Sequence, residues 1–288
     1  MLRNPRDLVA SCVEVSSLPA VFLRLNEAIN SPRSSIIDMS KIIAEDPGLT
    51  ARLLRLVNSS LYSFPGKIET ISRAVVIVGV QQLRELALAT SVMKLFEKIP
   101  EDLASMESFW AHSVACGLAA RILASHRRDP NVERFFVAGI LHDVGKLVIY
   151  SQSPDLAREA LRAAAGNGSL LHEAEAHAIG FDHTFVGRLL VRAWKLPASL
   201  EDVAGCHHAP ALATRFPVEA AVVHLADILA HVLQLGASGQ KVVPPLDPQA
   251  WDLLGIPAGS LVLTLEQVER QFSDVLSTLL PNGKPCVH

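Results

Sequence analysis

Apolar side chains recur every three or four residues along most of the chain, which is the spacing of amphipathic α-helices. Ser17-Leu18-Pro19 precedes one such stretch and predicts a helix with Pro19 in its first turn. A second helix is expected to begin near Ser34 or Ser35. Asp46-Pro47 predicts a third, because the carboxylate can accept from a free amide of the first turn and proline has no amide proton to satisfy.

Two further segments complete this front part of the chain. Residues 72–80 form a short apolar segment that ends near Gly79, and residues 81–96 have the pattern of another amphipathic helix. The polar positions fit caps, turns and solvated faces rather than a cluster of His or carboxylate side chains. Residues 12–100 are therefore expected to form a helical packing or docking lobe, the front lobe.

The helical periodicity continues beyond residue 106. The segment from Trp110 to Ala120 is rich in small residues, which lets a helix approach its neighbours closely. Residues 106–235 are expected to form a second helical lobe, the back lobe. Residues 236–288 are expected to form a loop and a closing helix, Leu261 to Leu280, packed on the back lobe, with a partner-binding or dimerisation helix as the alternative. The predicted fold class is all-α, a two-lobe helical bundle.

Composition narrows the classes of function. Half of the residues are apolar but only 5% are aromatic, so the core is expected to be aliphatic. A net charge of −3 gives no electrostatic reason to expect binding to nucleic acid or to an anionic membrane. The four cysteines contain no Cys-x-x-Cys pair, and the apolar run from Ala74 to Val78 is far shorter than the roughly 20 residues of a membrane helix. We expect a soluble cytoplasmic protein.

The most informative motif is His142-Asp143-Val144-Gly145-Lys146, because other His and Asp residues occur on both sides of it at intervals of about one helix and one turn. Antiparallel helices repeat their ends on that scale, so these side chains can converge. The seven donors expected to meet are His112, His142, Asp143, His183, His207, His208 and Asp227.

Imidazole and carboxylate groups bind divalent transition metals, and one carboxylate can bridge two ions roughly 3.5 to 4 Å apart. Asp143 is the candidate bridge. We assign one ion to Asp143 with His112, His142 and Asp227, and the other to Asp143 with His183, His207 and His208. Lys146 lies one helical turn beyond His142 and can place its ammonium on a phosphate oxygen, so Asp143 and Lys146 are the candidate catalytic residues. Iron, manganese and zinc all suit such donors.

Most of the other His, Asp and Cys residues of the chain have ordinary structural explanations. A histidine alone on a helix is more often a satisfied polar residue than a ligand, which we apply to His126, His172, His177, His224, His231 and His288. A different helix register would put His172 or His177 in the place of His183. Asp182 is interpreted as a helix cap rather than a partner of His183. Glu107 is the nearest candidate for an additional acidic ligand, and Cys116 and Cys206 are interpreted as core thiols.

The chain resembles a known family both in its front lobe and at the His207-His208 pair. Leu18-Pro19, Asp46-Pro47, Leu49-Thr50 and Val57-Asn58-Ser59 resemble the start of the HDOD domain, a bacterial signalling module. The His207-His208 pair fits the same layout, so we expect an HDOD domain over residues 12–235. The resemblance implies a protein-interaction module, and the family usually loses several metal ligands and is mostly regarded as non-catalytic.

The back lobe is also similar to the HD phosphohydrolase superfamily, most of all to its HD-GYP branch, which hydrolyses cyclic di-GMP. This similarity rests on the His142-to-Lys146 motif, on His183-x-x-Val-Gly187 and on His207-His208. It implies metal-ligand roles for the seven donors and a phosphate-binding role for Lys146. The Asp-Gly-x-Gly-Tyr-Pro signature of the branch is missing after His208, which argues against cyclic di-GMP as the substrate.

The function expected from the sequence is bacterial signal transduction through protein interaction or ligand sensing, with a retained divalent-metal centre of one or two ions. The alternative is a metal-dependent phosphohydrolase or phosphodiesterase that acts on a nucleotide or another phosphoester. The expected partners are a signalling protein and a phosphate-containing small ligand, and neither is identified by the sequence.

Overall fold

A computed structural model of the chain describes residues 4–15, 17–31, 33–96 and 99–280, so Cys286 and His288 lie outside the described residues. Every regular element among the described residues is helical, which confirms the predicted all-α class. A short 3-10 turn, Pro210–Leu212, follows the thirteenth α-helix. The α-helices in chain order are α1 (Pro5–Val15), α2 (Ala20–Asn30), α3 (Ile36–Ala44), α4 (Pro47–Val57), α5 (Ile71–Val78), α6 (Val80–Leu95), α7 (Met106–His126), α8 (Val132–Leu141), α9 (Val144–Gln152), α10 (Pro154–Asn167), α11 (Leu171–Ile179), α12 (His183–Ala193), α13 (Ala198–Cys206), α14 (Pro217–Leu233), α15 (Pro248–Leu254) and α16 (Gly259–Leu279).

These helices form two compact units, in agreement with the predicted two-lobe organisation. The small unit contains residues 18–95 and, among the described residues, 269–280; the large unit contains residues 96–268 and the described residues before 18. Helix α1 packs within the large unit against α9 and α12. The second part of α16 belongs to the small unit, where Asp274 Oδ2 accepts a hydrogen bond of 2.6 Å from the Ser60 amide. The sequence predicts the whole of this helix on the back lobe.

The helix starts of the small unit follow from side-chain caps. Ser35 and Asp38 form a reciprocal capping box at the start of α3. Asp46 Oδ1 accepts from the Leu49 amide at 2.9 Å, and Pro47 is the first residue of α4. These two contacts confirm the predicted starts near Ser35 and at Asp46-Pro47.

The start of α2 differs from the prediction. Pro19 occupies the N-cap position with ψ of 141°, without a side-chain cap, and α2 begins at Ala20. The extended ψ of Pro19 keeps it out of the first helical turn, so the sequence placed this proline one position too far into the helix. The next break is as predicted. Helix α5 ends at Val78, and Gly79 is its C-cap, with a φ of 100° that favours a residue without a Cβ.

In the large unit, α7 and α8 touch through their backbones. A Cβ added to Gly139 would lie 2.7 Å from the Cα of Gly117, and one added to Gly117 would lie 2.8 Å from the Phe136 carbonyl oxygen. Both glycines are therefore required by the close approach that the small residues of α7 predict. This crossing lies near His112 on α7 and near His142, which follows α8, and so it brings the two histidines together.

A second close crossing joins α9 and α12. A Cβ added to Gly145 would lie 2.6 Å from the Gly187 amide nitrogen and closer still to the His183 carbonyl oxygen. Gly145 is two residues beyond Asp143. The first turn of α12, which carries His183, is therefore held against the first turn of α9, next to Asp143.

We compared the described helices with the requirements of a membrane span. None of them alone combines the length and the apolar composition that crossing a bilayer needs. Helices α5 and α6 meet these requirements only when taken as a pair, and they are bent by 116° at the break between them.

The α7–α8 crossing predicts that Gly139→Ala destabilises the protein. The added methyl group overlaps the Gly117 backbone, and such overpacking costs about 1 to 3 kcal/mol of the free energy of unfolding. Denaturant unfolding followed by circular dichroism measures the change.

Gly166→Ala is the matched control, because Gly166 is exposed near the end of α10 and has open space around it. This variant should match the wild type or gain up to about 1 kcal/mol from helix propensity. Equal stability of Gly139→Ala and the wild type would contradict the backbone contact.

Candidate metal centre

The seven predicted donors come from helix ends and helix interiors of the large unit. His112 lies within α7 and Asp227 within α14, whereas His142 and Asp143 form the junction between α8 and α9. His183 begins α12. His207 and His208 directly follow α13. The chain thus returns repeatedly to one place, as the spacing of the motifs requires.

The structure brings all seven donors together around two carboxylates. Asp143 Oδ1 lies 3.3 Å from His183 Nε2 and 3.5 Å from His207 Nε2, and its Oδ2 lies 3.3 Å from His142 Nε2. Asp227 Oδ1 lies 3.0 Å from His112 Nε2 and 3.5 Å from His142 Nε2.

His208 completes the group from its edge. Its Nε2 lies 3.1 Å from His183 Nε2, and its side chain is half-buried. The exposed fraction of the other six is at most 2%. His208 is therefore the most exposed of the seven donors.

These separations suit ligands of a common ion. Two ligand atoms about 2.1 Å from one metal, at angles between 90° and 109°, lie about 3.0 to 3.4 Å apart. Most of the distances above are in or next to that range. Two of the groups that could hold an ion among the described residues contain Asp143: one with His183, His207 and His208, and one with His112 and His142.

The outer nitrogens of His142 and His207 are each held by a backbone acceptor. His142 Nδ1 donates to the Gly139 carbonyl at 2.6 Å, and His207 Nδ1 donates to the Val203 carbonyl at 3.3 Å. A carbonyl oxygen only accepts, so the proton is on Nδ1 and the Nε2 lone pair faces the centre. Acceptors of this kind orient metal-binding histidines in known sites.

Three inward-facing atoms have no hydrogen-bond partner although they are buried: His142 Nε2, His207 Nε2 and Asp143 Oδ1. Buried polar atoms are nearly always satisfied in folded proteins. Imidazole lone pairs on the two sides of a buried carboxylate are satisfied when cations bind between them and the carboxylate oxygens. The residues present therefore fit a divalent metal ion.

The electrostatics favour neutral imidazoles at His112 and His207, whereas at His142 the effect of Asp143 outweighs that of burial and raises the pKa well above its usual range. Burial lowers the pKa of His112 and of His207 to about 4, against the opposing effect of Asp227 and Asp143 respectively. Burial raises the pKa of Asp143, but His142 and Lys146 outweigh that effect and hold it well below its usual range. At neutral pH the two histidines are neutral and the carboxylate is ionised, as metal ligands must be.

Lys146 lies against the predicted bridging carboxylate. Its Nζ donates to Asp143 Oδ2 at 2.6 Å and to Ser238 Oγ at 3.1 Å, and its side chain is 2% exposed. The contact with a phosphate that the sequence suggests for Lys146 stays a prediction.

Comparison with known proteins identifies the family. The family model of the HDOD domain matches residues 15–210. The chain belongs to the HDOD domain family. An HDOD domain protein of unknown function from Geobacter sulfurreducens has a similar structure, with a TM-score of 0.75 and 24% identity over 96% of this chain and 97% of that one.

A second solved structure, "Putative phosphohydrolase" from Shewanella amazonensis SB2B, has a TM-score of 0.75 and 26% identity over 94% of this chain and 97% of that one. An uncharacterized protein of Treponema pallidum is 24% identical over 196 residues. That match covers 68% of this HDOD chain but 38% of the Treponema protein, which is much longer.

The structure resolves the alternatives that the sequence left open around His183. His177 is exposed on α11, and His172 stacks on His208 with ring centroids 4.3 Å apart, so neither replaces His183 at the centre. Asp182 Oδ1 accepts from the Phe185 amide at 2.9 Å, which confirms the helix cap. Glu107, the sequence candidate for an additional acidic ligand, lies in the first turn of α7.

Sequence reasoning missed Glu175, the acidic partner of this HDOD centre. Glu175 Oε2 accepts from the His183 amide at 2.8 Å and lies 2.5 Å from His183 Nδ1. Burial lowers the pKa of His183, but the Glu175 carboxylate outweighs it and raises the pKa to about 9. The sequence signal for this partner is the pair of acidic residues, Glu173 and Glu175, that follows His172.

We predict that Glu175→Gln weakens metal binding about 10- to 100-fold, the usual cost of removing an outer partner of a metal-bound histidine. Without the carboxylate, His183 loses the charged acceptor that fixes its ring. Competition with a chromogenic chelator measures the metal affinity.

Glu173→Gln is the control, because Glu173 is exposed on the same helix. It should retain the affinity of the wild type. Equal affinity of the Glu175→Gln and Glu173→Gln variants would show that Glu175 does not support the centre.

Proposed function

We propose that this protein is an HDOD signal-transduction module whose large unit binds a divalent transition metal in a structural or ligand-sensing role. The observation that carries the proposal is the set of partnerless buried atoms, His142 Nε2, His207 Nε2 and Asp143 Oδ1, which face one another. In this proposal a signalling partner binds the protein surface around the centre, and this interaction depends on whether the centre is occupied.

Burial favours holding an ion over turning over a substrate. His142, Asp143 and His207 are at most 1% exposed, so a phosphoester reaches them only after the surrounding side chains move. A metal ion is small enough to bind between them. Lys146, the residue expected to meet a phosphate, is already bonded to Asp143.

Within the proposal, each group of residues has a separate task. The metal would supply positive charge to the ionised carboxylates. Asp143 offers its two oxygens to opposite sides of the centre, with His183 and His207 on the Oδ1 side and His142 on the Oδ2 side. His208 stands at the half-buried edge, where a small ligand with a phosphate group would arrive.

A metal-dependent phosphohydrolase is the second candidate. It is favoured by the buried Lys146–Asp143 pair, which places an ammonium beside the metal ligands, and by the similarity to the Shewanella protein whose name contains "phosphohydrolase". In that case Lys146 would leave Asp143 to bind a phosphate oxygen of a nucleotide or another phosphoester.

The proposed partner is another protein rather than nucleic acid. The net charge of −3 gives no basic excess for phosphate backbones, whereas a helical module offers broad packing surfaces. We place its action in the cytoplasm, where the widely spaced cysteines would remain thiols.

Elemental analysis of the purified protein tests the metal centre. The wild type and His126→Ala, an exposed histidine on α7, should each retain at least one equivalent of transition metal. His142→Ala and Asp143→Ala should lose it, because each removes a buried donor. Folded wild-type protein that takes up no metal from a supply of iron, manganese or zinc would overturn both candidate functions.

A screen of phosphomonoesters and phosphodiesters with the metal-loaded protein separates the two candidates. The proposed role predicts no turnover above the rate of the His142→Ala and Asp143→Ala variants. Hydrolysis that is present in the wild type and lost in both variants would replace the sensing role by the phosphohydrolase.

A further inference from the structure

A short irregular segment after α14 crosses two helices of the large unit. This segment, residues 236–240, is called the strap below, and it forms no regular secondary structure. The Ala237 amide donates to the Ser108 carbonyl of α7 at 3.0 Å, and Gln240 Oε1 accepts from the Leu171 amide of α11 at 2.6 Å. The strap is therefore tied to two different helices by single hydrogen bonds.

Two glycines let the strap lie directly on the helices beneath it. Gly236 has a φ of 85° and Gly239 a φ of 89°, a conformation that other residues rarely adopt. A Cβ added to Gly236 would lie 2.5 Å from the His112 amide nitrogen, and one added to Gly239 would lie 2.9 Å from the Tyr150 hydroxyl oxygen. The strap thus contacts the backbone of a predicted metal ligand on α7 and a side chain on α9.

Ser238 joins the strap to the metal centre. Its side chain is fully buried, and its hydroxyl oxygen accepts a hydrogen bond of 3.1 Å from Lys146 Nζ. The same ammonium donates to Asp143 Oδ2 at 2.6 Å. One buried cation therefore links a predicted metal ligand to the strap.

A metal ion and the Lys146 ammonium would share the charge of Asp143 Oδ2. This oxygen also lies 3.3 Å from His142 Nε2, the lone pair of which would bind the ion from the other side. Two positive charges a few ångströms apart in a buried site repel each other strongly. Lys146 is 2% exposed, so its ammonium can move away from an ion only if a neighbour moves as well. Of its two described hydrogen-bond partners, Ser238 is the one outside the metal ligands.

Tyr150 indicates that the strap has a second favourable position. Its hydroxyl oxygen has no hydrogen-bond partner among the described residues, although the side chain is 1% exposed. Burial raises the pKa of this phenol well above its usual range, so the hydroxyl keeps its proton and requires an acceptor. Because a buried donor is rarely left unsatisfied, and because Gly239 lies against this hydroxyl, lifting the strap would give it water as a partner.

We propose that the strap is the switch through which this protein reports the occupancy of its metal centre. When Asp143 binds no ion, Lys146 holds the strap closed through Ser238. An ion at Asp143 repels the ammonium and shifts the strap towards the lifted position, because the ion interacts differently with the two positions of Lys146. Ala237 is exposed, so a signalling partner can reach the strap. This inference rests on the proposed metal centre and names the surface that the partner reads.

Hydrogen–deuterium exchange of the full chain, followed by mass spectrometry, tests the switch. Wild-type protein is measured without metal and with saturating Zn²⁺, and metal per chain is determined in the same samples. The amides of residues 237–240 should exchange about tenfold faster in the Zn²⁺-loaded protein, because they open locally with the strap. Amides at the α7–α8 crossing, which the strap does not restrain, should exchange no faster.

Three variants identify the latch. Ser238→Ala removes the acceptor, so its strap should exchange fast with and without Zn²⁺. Lys146→Gln keeps a hydrogen-bond donor without the charge, so its strap should not respond to Zn²⁺. Ser11→Ala, at an exposed serine on α1, is the matched control and should respond as the wild type does. Circular dichroism verifies that each variant folds, and the wild-type measurement decides alone for any latch variant that does not.

Wild-type protein that binds Zn²⁺ while the exchange of residues 237–240 is unchanged or slower would overturn the switch and leave the proposed centre intact. The same holds if folded Ser238→Ala or Lys146→Gln responds to Zn²⁺ as the wild type does. Wild-type protein that binds no metal would overturn the switch and the proposed function together.

Discussion

Three carboxylates, of Asp143, Glu175 and Asp227, and one ammonium, that of Lys146, are buried at the metal centre of the large unit. Uncompensated charge in a protein interior is costly, so this region must acquire further positive charge. Imidazoles can acquire it as protons, and the pKa of His183, raised to about 9, shows that tendency. A divalent ion provides the same compensation. Binding a metal here therefore releases protons, and metal affinity and folding stability become linked to pH.

The helices that carry the donors are held together by rigid backbone contacts rather than by flexible side chains. The α7–α8 and α9–α12 crossings are so close that a methyl group does not fit at Gly139 or Gly145. Donors on these helices consequently have little freedom to move apart when the metal changes. Such preorganisation suits a centre that holds an ion.

Sequence reasoning predicted what depends on local chemistry and periodicity. The start of α4 follows from Asp46-Pro47 alone, and the gathering of distant donors follows from helix lengths. It missed Glu175, whose importance depends on the neighbour that the tertiary fold gives it. It assigned His183 to the centre but left His172 and His177 open as alternatives, because a change of helix register would exchange them.

The junction of His142 and Asp143 has a consequence for how this family can vary. The turn around Arg128, between α7 and α8, lies at the opposite end of α8 from His142, and such a turn can change in length without disturbing the donors. One residue inserted between His142 and Asp143 would rotate the following helix by about 100° and turn either the carboxylate or the imidazole outward. Length variation among relatives should therefore concentrate in the turns and spare this dipeptide.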